Sequence, residues 1–431
     1  MKAQKDDARL PECETGEVTK LPGYGTVKEK QLSGYLPVTD KNDAFIYFWF
    51  FESQGNPDKD PIVLWLNGGP GSSSFIGLFA ENGPYKIQRD RLYVDNYYLV
   101  DNPYSWNKNA SYLMIDQPAG AGLSYVTDPK ESARTEQEAT DQLYRGLQCF
   151  FDRWPAYRKL DFYIFGESFA GVYIPMLATA ILDENLKDQP YINLTGIGVG
   201  DGFVHPYIQE STYGDYAYAH GLIGLNEKKE ADKLYRKCAR AIKRSQPVTS
   251  RRADKICNKI EEYISKVSGG ANVYDVRLIG DYNFDIIGGY LDQPAVRKAL
   301  HVSPHAKAWK DTSKRIAYLL ERGEQNSYAD LYPQLFESLP VLIYNGIYDM
   351  DCNFMGTDAW IKALDWSYKK QFLEQERLPW FNEGQLAGHI RSYSNLTQVL
   401  VVGAGHLVPL DQPKHALALL NSFTQKKPPT L

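Results

Sequence analysis

The chain has 431 residues, 43% of them apolar and 23% charged, with a formal net charge of −5. These are the proportions of a soluble globular protein with room for a large core, and the acidic balance argues against nucleic acid as the main partner. No apolar run approaches the roughly 18 residues that a membrane span needs, so no membrane partner is expected.

Taken in order, the chain opens on MKAQKDDARLPECE, which is polar and lacks the apolar centre of a signal peptide. That fits either a cytosolic protein or a mature form behind a start Met. From residue 61 onward, six apolar, β-branched runs each end in a Gly-rich turn: PIVLWLNGGPG, SYLMIDQPAGAG, DFYIFGESFAG, LTGIGVGDG, PVLIYNGIYD and LTQVLVVGAGH. Runs of this kind read as strands buried on both faces of a mainly parallel sheet. Helical patterns lie between them, at 133–153 and after Ser168, so the fold class is α/β with helices on both faces of the sheet. From about 205 to 272 strands give way to a Lys/Arg/Glu-rich helical stretch (LNEKKEADKLYRKCARAIKRSQ), read as a cap inserted over the cleft. The expected organisation is a core in two parts, 1–204 and 273–431, around a helical cap at 205–272.

Five cysteines, at 13, 149, 238, 257 and 352, are too few for a disulfide scaffold. Whether Cys238 and Cys257 pair or stay as two thiols is left open by their spacing. No CxxC or clustered His/Cys pattern suggests a metal. The sequons at Asn109, Asn193 and Asn395 would carry glycans in a secreted protein.

The chemistry-bearing residues all follow strands, at the carboxyl edge where open α/β sheets bind ligands. Ser168 stands where a strand turns into a helix, in the pattern G-x-S-x-A-G. Small residues there let strand and helix approach closely and expose the serine as a nucleophile. A serine nucleophile needs a base, and the base an orienting acid. Of seven histidines, His406 alone follows a strong strand through a Gly turn. Asp201, Asp349 and Asp351 all follow strands between Ser168 and His406; Asp349 sits closest behind its strand and is preferred over Asp201. Glu167, directly before the serine, has no place in this scheme.

With WLNGGPGSSS, ENGP, GESFAG, YNGIYDMDCN and GAGHLVPLDQP in this order, together with YLDQPAVRKALHV, the chain resembles the serine carboxypeptidases from about residue 30 to its C-terminus. The resemblance implies an α/β-hydrolase fold and a triad of Ser168, Asp349 and His406. It implies an oxyanion hole made by the backbone N–H groups of Gly69 and Phe169. It also gives Glu167 a role, in a site for the substrate's terminal carboxylate formed by Asn67, Gly68, Glu81 and Glu167. Two ionised glutamates would repel a carboxylate, so the pair is expected to be buried and to share protons, binding best in acid.

The implied activity is serine-type peptide hydrolysis that releases C-terminal residues, with no cofactor and no metal. An acyltransferase on the same scaffold and a non-catalytic binding protein are the alternatives. Implied partners are peptides with a free C-terminus, and the implied setting is secreted or vacuolar/lysosomal. Two departures stand out. Ser72 occupies a place where the family often has a disulfide-bonded Cys, and the insertion keeps only Cys238 and Cys257, so a more mobile cap is expected. For specificity, a helix after GGPG would set Ile76 and Ala80 on one apolar face beside Glu81. Asp351 falls where the family lines the acyl-side pocket, which would favour Lys or Arg as the penultimate residue.

Overall fold

The computed structural model describes residues 14–90, 96–187, 191–245 and 251–426; the polar N-terminal stretch through Cys13 and five residues of the expected cap, 246–250, lie outside them. Its frame is a twelve-stranded sheet. The main strands are β1 (Glu14–Glu17), β2 (Gln31–Pro37), β3 (Ala44–Phe51), β4 (Ile62–Leu66), β5 (Ser111–Asp116), β6 (Phe162–Ser168), β7 (Leu194–Gly202), β8 (Val341–Gly346), β9 (Leu378–Asn382), β10 (Gln385–Tyr393) and β11 (Leu396–Val401). In space they run β1-β2-β3-β5-β4-β6-β7-β8-β11-β10-β9, with the two-residue strand Tyr125–Val126 paired to β3. The six central strands, β5 to β11 in that order, are parallel. They are the six runs read from the sequence. The antiparallel strands on both flanks extend the sheet beyond that reading.

Side chains alternate across the sheet as the pleat requires. Ile62, Leu64 and Leu66 of β4 join the core under one face, while Val63 and Trp65 join the core under the other. The first core is roofed by α1 (Glu136–Arg153) and α2 (Ala170–Asn185). The Thr135 hydroxyl caps α1 by accepting from the Glu138 N–H, and Leu143, Leu147 and Phe150 bury one stripe of it. Ala416, Leu419 and Leu420, in the helix Pro413–Thr424, pack on the opposite face.

No strand of the sheet lies between Gly202 and Val341 among the described residues. There, α3 (Tyr213–Ala219), α4 (Leu225–Ser245), α5 (Arg251–Cys257) and α6 (Lys259–Val267) build a small apolar cluster of their own, which also takes in Met350. Cys238 and Cys257 form a disulfide that ties α4 to α5. Backbone bonds join this unit to the loop after β8: Met350 N–H and Asp351 N–H both donate to Val273 O, at 2.9 and 3.1 Å. The Tyr216 hydroxyl donates to Ile347 O at 2.8 Å. The insertion with few cysteines is thus fastened to the loop that follows Gly346. Among the described residues no helix is long and apolar enough to cross a membrane.

At the carboxyl edge, β4 and β6 come closer than side chains permit. A Cβ on Gly166 would lie 2.2 Å from Leu66 O and 2.8 Å from Ala170 Cβ. Gly166→Ala is therefore expected to force the strands apart and to destabilise the protein by about 1–3 kcal/mol, read as a lower urea midpoint. An unchanged midpoint would mean that the contact is not a constraint.

Candidate active site

Ser168 ends β6, and Phe169 alone separates it from α2, as the residue that caps the helix. Its φ is +62°, an unusual conformation for a non-Gly residue and one that concentrates at functional turns. The register slips by one residue between Glu167 and Ser168 along β7, so the two side chains leave the strand in different directions. Gly68 lies against the elbow: a Cβ there would be 2.3 Å from Phe169 N and 2.8 Å from Ser168 Cβ. Gly69, Ser168 and Phe169 line one cavity together.

His406 follows β11, and Asp349 follows β8. Their loops meet because Gly346 has no side chain; a Cβ on it would lie 1.9 Å from Gly405 O. His406 N–H donates to Tyr274 O at 2.7 Å, and Gly405 N–H to Asp411 Oδ2 at 2.7 Å. His406 Nδ1 is 2.9 Å from Asp349 Oδ2, which also accepts from Cys352 N–H at 3.1 Å. Burial works against the imidazolium, but the charge and hydrogen bond of Asp349 outweigh it and raise the His406 pKa. Burial raises Asp349 as well, against the opposing pull of His406.

Asn67 ends the run that begins with β4, and its amide is fixed in orientation. Oδ1 accepts from Trp65 Nε1 at 2.8 Å and from Gly77 N–H at 3.1 Å. Nδ2 therefore points the other way, donating to Glu167 Oε1 at 2.8 Å and approaching Glu81 Oε1 at 3.4 Å. Both glutamates are buried, at 0% and 3% exposure, and each leaves its Oε2 without a partner. Burial pushes Glu81 up to about 7. Burial, with the Glu81 charge added, raises Glu167 well above the usual carboxylate range. Glu81 closes a π-helical turn, Gly77–Glu81, rather than the regular α-helix expected after GGPG; such turns often mark functional sites.

Two cavities meet at Ser168. One, of about 210 Å³, is lined by Asn67, Gly68, Glu167 and His406, with Ile76 and Phe284 on its apolar side. Ile76 is thus at the site. Ala80 is not among its lining residues; it is partly buried against the core of that face. The other cavity, of about 190 Å³, is lined by Asp351 and also by Glu210, Glu261 and Glu324. Burial raises Glu210 to about 8 and lifts Glu261 and Glu324 well above the usual range. Oε1 of Glu261 and Oε1 of Gln325, which also lines this cavity, are buried without a hydrogen-bond partner. These three glutamates were not legible beforehand, because they share no motif: Glu210 opens a short 3-10 turn, Glu261 lies in the charged helix α6, and Glu324 lies in a turn. Ser72, in the position of the missing cysteine, instead shares a hydrogen bond with the Thr312 hydroxyl at 3.0 Å.

A family model described as serine carboxypeptidase matches residues 22–426. Serine carboxypeptidase S10 family member 1 of Dictyostelium discoideum is 39% identical over 402 residues, covering 92% of this chain and 94% of the relative. A serine carboxypeptidase-like protein of Oryza sativa subsp. japonica is 36% identical over 402 residues, covering 91% of this chain and 92% of the relative. The crystal structure of Kex1, a prohormone-processing carboxypeptidase from Saccharomyces cerevisiae, aligns over 97% of both chains with a TM-score of 0.83 and 25% identity. A proline iminopeptidase from Mycobacterium smegmatis, 13% identical with a TM-score of 0.50 over 91% of this chain and 98% of its own, shares the fold alone, which is the α/β-hydrolase fold.

Proposed function

The chain belongs to the serine carboxypeptidase family, and on that premise we propose that it releases single residues from peptide C-termini through an acyl-enzyme formed on Ser168. The observation that carries this reading is the Asp349–His406 hydrogen bond of 2.9 Å, with His406 lining the same cavity as a serine held at positive φ. In the proposed cycle His406 takes the Ser168 proton as the hydroxyl attacks the last peptide bond, then returns it to the leaving amino group. Asp349 keeps the imidazole in the tautomer with Nδ1 protonated and stabilises its cation. The N–H groups of Gly69 and Phe169 receive the oxyanion; because only the backbone is used, the side chain of Phe169 is not part of the chemistry. Water then releases the shortened peptide.

Asn67, Glu81, Glu167 and the Gly68 N–H form the clamp for the substrate's terminal carboxylate. With the glutamate pair protonated, its free oxygens donate hydrogen bonds. Ionised, they repel the substrate. The clamp favours hydrolysis of a free peptide end over transfer to another acceptor, and its preference for acid suits a secreted, vacuolar or lysosomal setting. On the leaving side, Ile76 and Phe284 offer an apolar wall to the terminal side chain. On the acyl side, the four carboxyl groups around the second cavity favour a cationic penultimate side chain, which would draw the three glutamates toward the ionised form as it enters.

Three measurements test this reading. A phosphonylating reagent should label Ser168 and abolish hydrolysis of blocked dipeptides; full activity in Ser168→Ala would sink the hydrolase assignment. KM for free peptides should rise above about pH 7, where burial places the titration of Glu81, because the sign of the effect follows loss of the donated proton. Glu81→Gln, which stays neutral, should flatten that rise, and a KM constant from pH 4 to 9 in the wild type would refute a shared-proton clamp. Finally, kcat/KM for penultimate Lys over Leu should exceed unity by roughly fivefold at low salt, and Asp351→Asn combined with Glu261→Gln should reduce it. An identical ratio in both proteins would remove these carboxyl groups from recognition.

A further inference from the structure

Asp201, the runner-up for the triad acid on sequence grounds, is fully buried at the end of β7. It has a positive φ of 42° between Gly200 and Gly202. That unusual backbone turns its carboxyl toward the loop after β8. Its Oδ1 accepts from Gly346 N–H at 2.9 Å and is approached by Asn345 Nδ2 at 3.4 Å; Oδ2 lies 3.2 Å from the same Gly346 nitrogen. The Asp201 side chain is also in hydrogen-bonding contact with that of Asp349.

Asp349 gives Oδ2 to His406 and to Cys352 N–H, while its Oδ1 is buried and no N–H or O–H donor reaches it. Two buried carboxyl groups are thus in contact, and a proton held between them would give that oxygen a donor. We propose that Asp201 is a positioning residue that carries this proton and donates it to Oδ1 of Asp349. The triad acid then stays an anion, held by a neutral carboxylic acid on one oxygen and by His406 on the other. This inference rests on the reading of Ser168, His406 and Asp349 as the catalytic triad.

The assignment of the proton follows from the surroundings. Asp349 has the imidazole and a backbone N–H to stabilise its charge, whereas Asp201 has only amide donors. The titratable groups that face Asp201 are Asp349, Glu167, Tyr216, Tyr344 and Cys352, and none of them is a cation. Burial, then the charge of Asp349, raises Asp201 well above the usual carboxylate range. Held in this way, the Asp349 carboxylate cannot rotate about its Cγ, and Oδ2 stays aimed at Nδ1. A second anion in place of the acid would push Asp349 away and raise the pKa of His406.

The test compares Asp201→Asn and Asp201→Ala with the wild-type protein, using the pH profile of kcat/KM and the separate values of kcat and KM. An amide can accept from Gly346 N–H and donate to Asp349, as a neutral acid does. Asp201→Asn should keep kcat within about threefold and leave the acid limb, which reports His406, in place. Asp201→Ala should lower kcat at least tenfold with KM nearly unchanged, since loss of orientation acts on the chemical step. If the acid limb of Asp201→Asn moves down by about one pH unit or more, a charge has been removed and the wild-type residue is ionised, which overturns the proposal. Wild-type kcat in Asp201→Ala overturns it too. Should the alanine variant fail to fold, the acid limb of Asp201→Asn alone decides. An active Ser168→Ala would instead signal failure of the triad reading, independently of Asp201.

Discussion

The close approach of two strand ends governs everything at the carboxyl edge. Gly68 after β4 and Gly166 in β6 bring backbone against backbone, with Leu66 O and Phe169 N at distances that no Cβ could share. From that contact follow the positive φ of Ser168, the register slip that separates Glu167 from Ser168, and the position of Asn67 beside Glu167. The N–H groups around Ser168 are brought into one cavity by the same crossing. A second close approach, Gly346 against Gly405 O, does for Asp349 and His406 what the first does for the serine. Glycine is used here for absence of volume, and the strands pay the entropic cost.

Burial then sets the charge state of what the crossings assemble. Around Ser168 three pairs of carboxyl groups meet: Glu81 with Glu167, Asp201 with Asp349, and Glu261 with Asp351. In each pair burial is the first cause that lifts at least one member well above the usual carboxylate range. Outside such pairing, a buried carboxylate is costly unless donors surround it. Asp116 shows the other solution: at 0% exposure it accepts from Ser73 Oγ, Ser74 N–H and Leu123 N–H, each at 2.8 Å. Burial still raises it to about 7 against these donors, and its bonds hold the loop after Asn67.

Much of this was legible in the sequence, for identifiable reasons. A strand buried on both faces is an unbroken apolar run, so β4 to β8 and β11 announce themselves, and all but β5 lead into a proposed site residue or its positioning residue. The flanking strands β2 and β10 carry Gln, Ser, Gly and Arg among their apolar positions, which dilutes the period-2 signal. Glu210, Glu261 and Glu324 were invisible because they come from three separate segments, a 3-10 turn, a charged helix and a turn, and meet only when these fold over the sheet. Ala80 was misplaced because a π-helical turn has no distinct residue pattern. Asp201 and Asp349 could be ranked as rivals by spacing, yet spacing gave no hint that the two carboxyl groups touch.

That contact changes what a triad acid requires. An aspartate oriented only by His406 would be free to turn, because a single hydrogen bond fixes one oxygen and leaves the other to swing. Backbone donors usually hold the second oxygen, and here Cys352 N–H reaches Oδ2 rather than Oδ1. The sheet therefore supplies the missing restraint from the adjacent strand, β7, whose end lies beside β8 because the two are parallel neighbours. Met350 and Asp351, next along the same loop, are fastened to Val273. Orientation of the acid and attachment of the insertion thus converge on three consecutive residues of one short loop. The cavity-lining carboxyl groups of Glu210 and Glu261 and the proposed triad share a mechanical frame even though their proposed chemistry is separate.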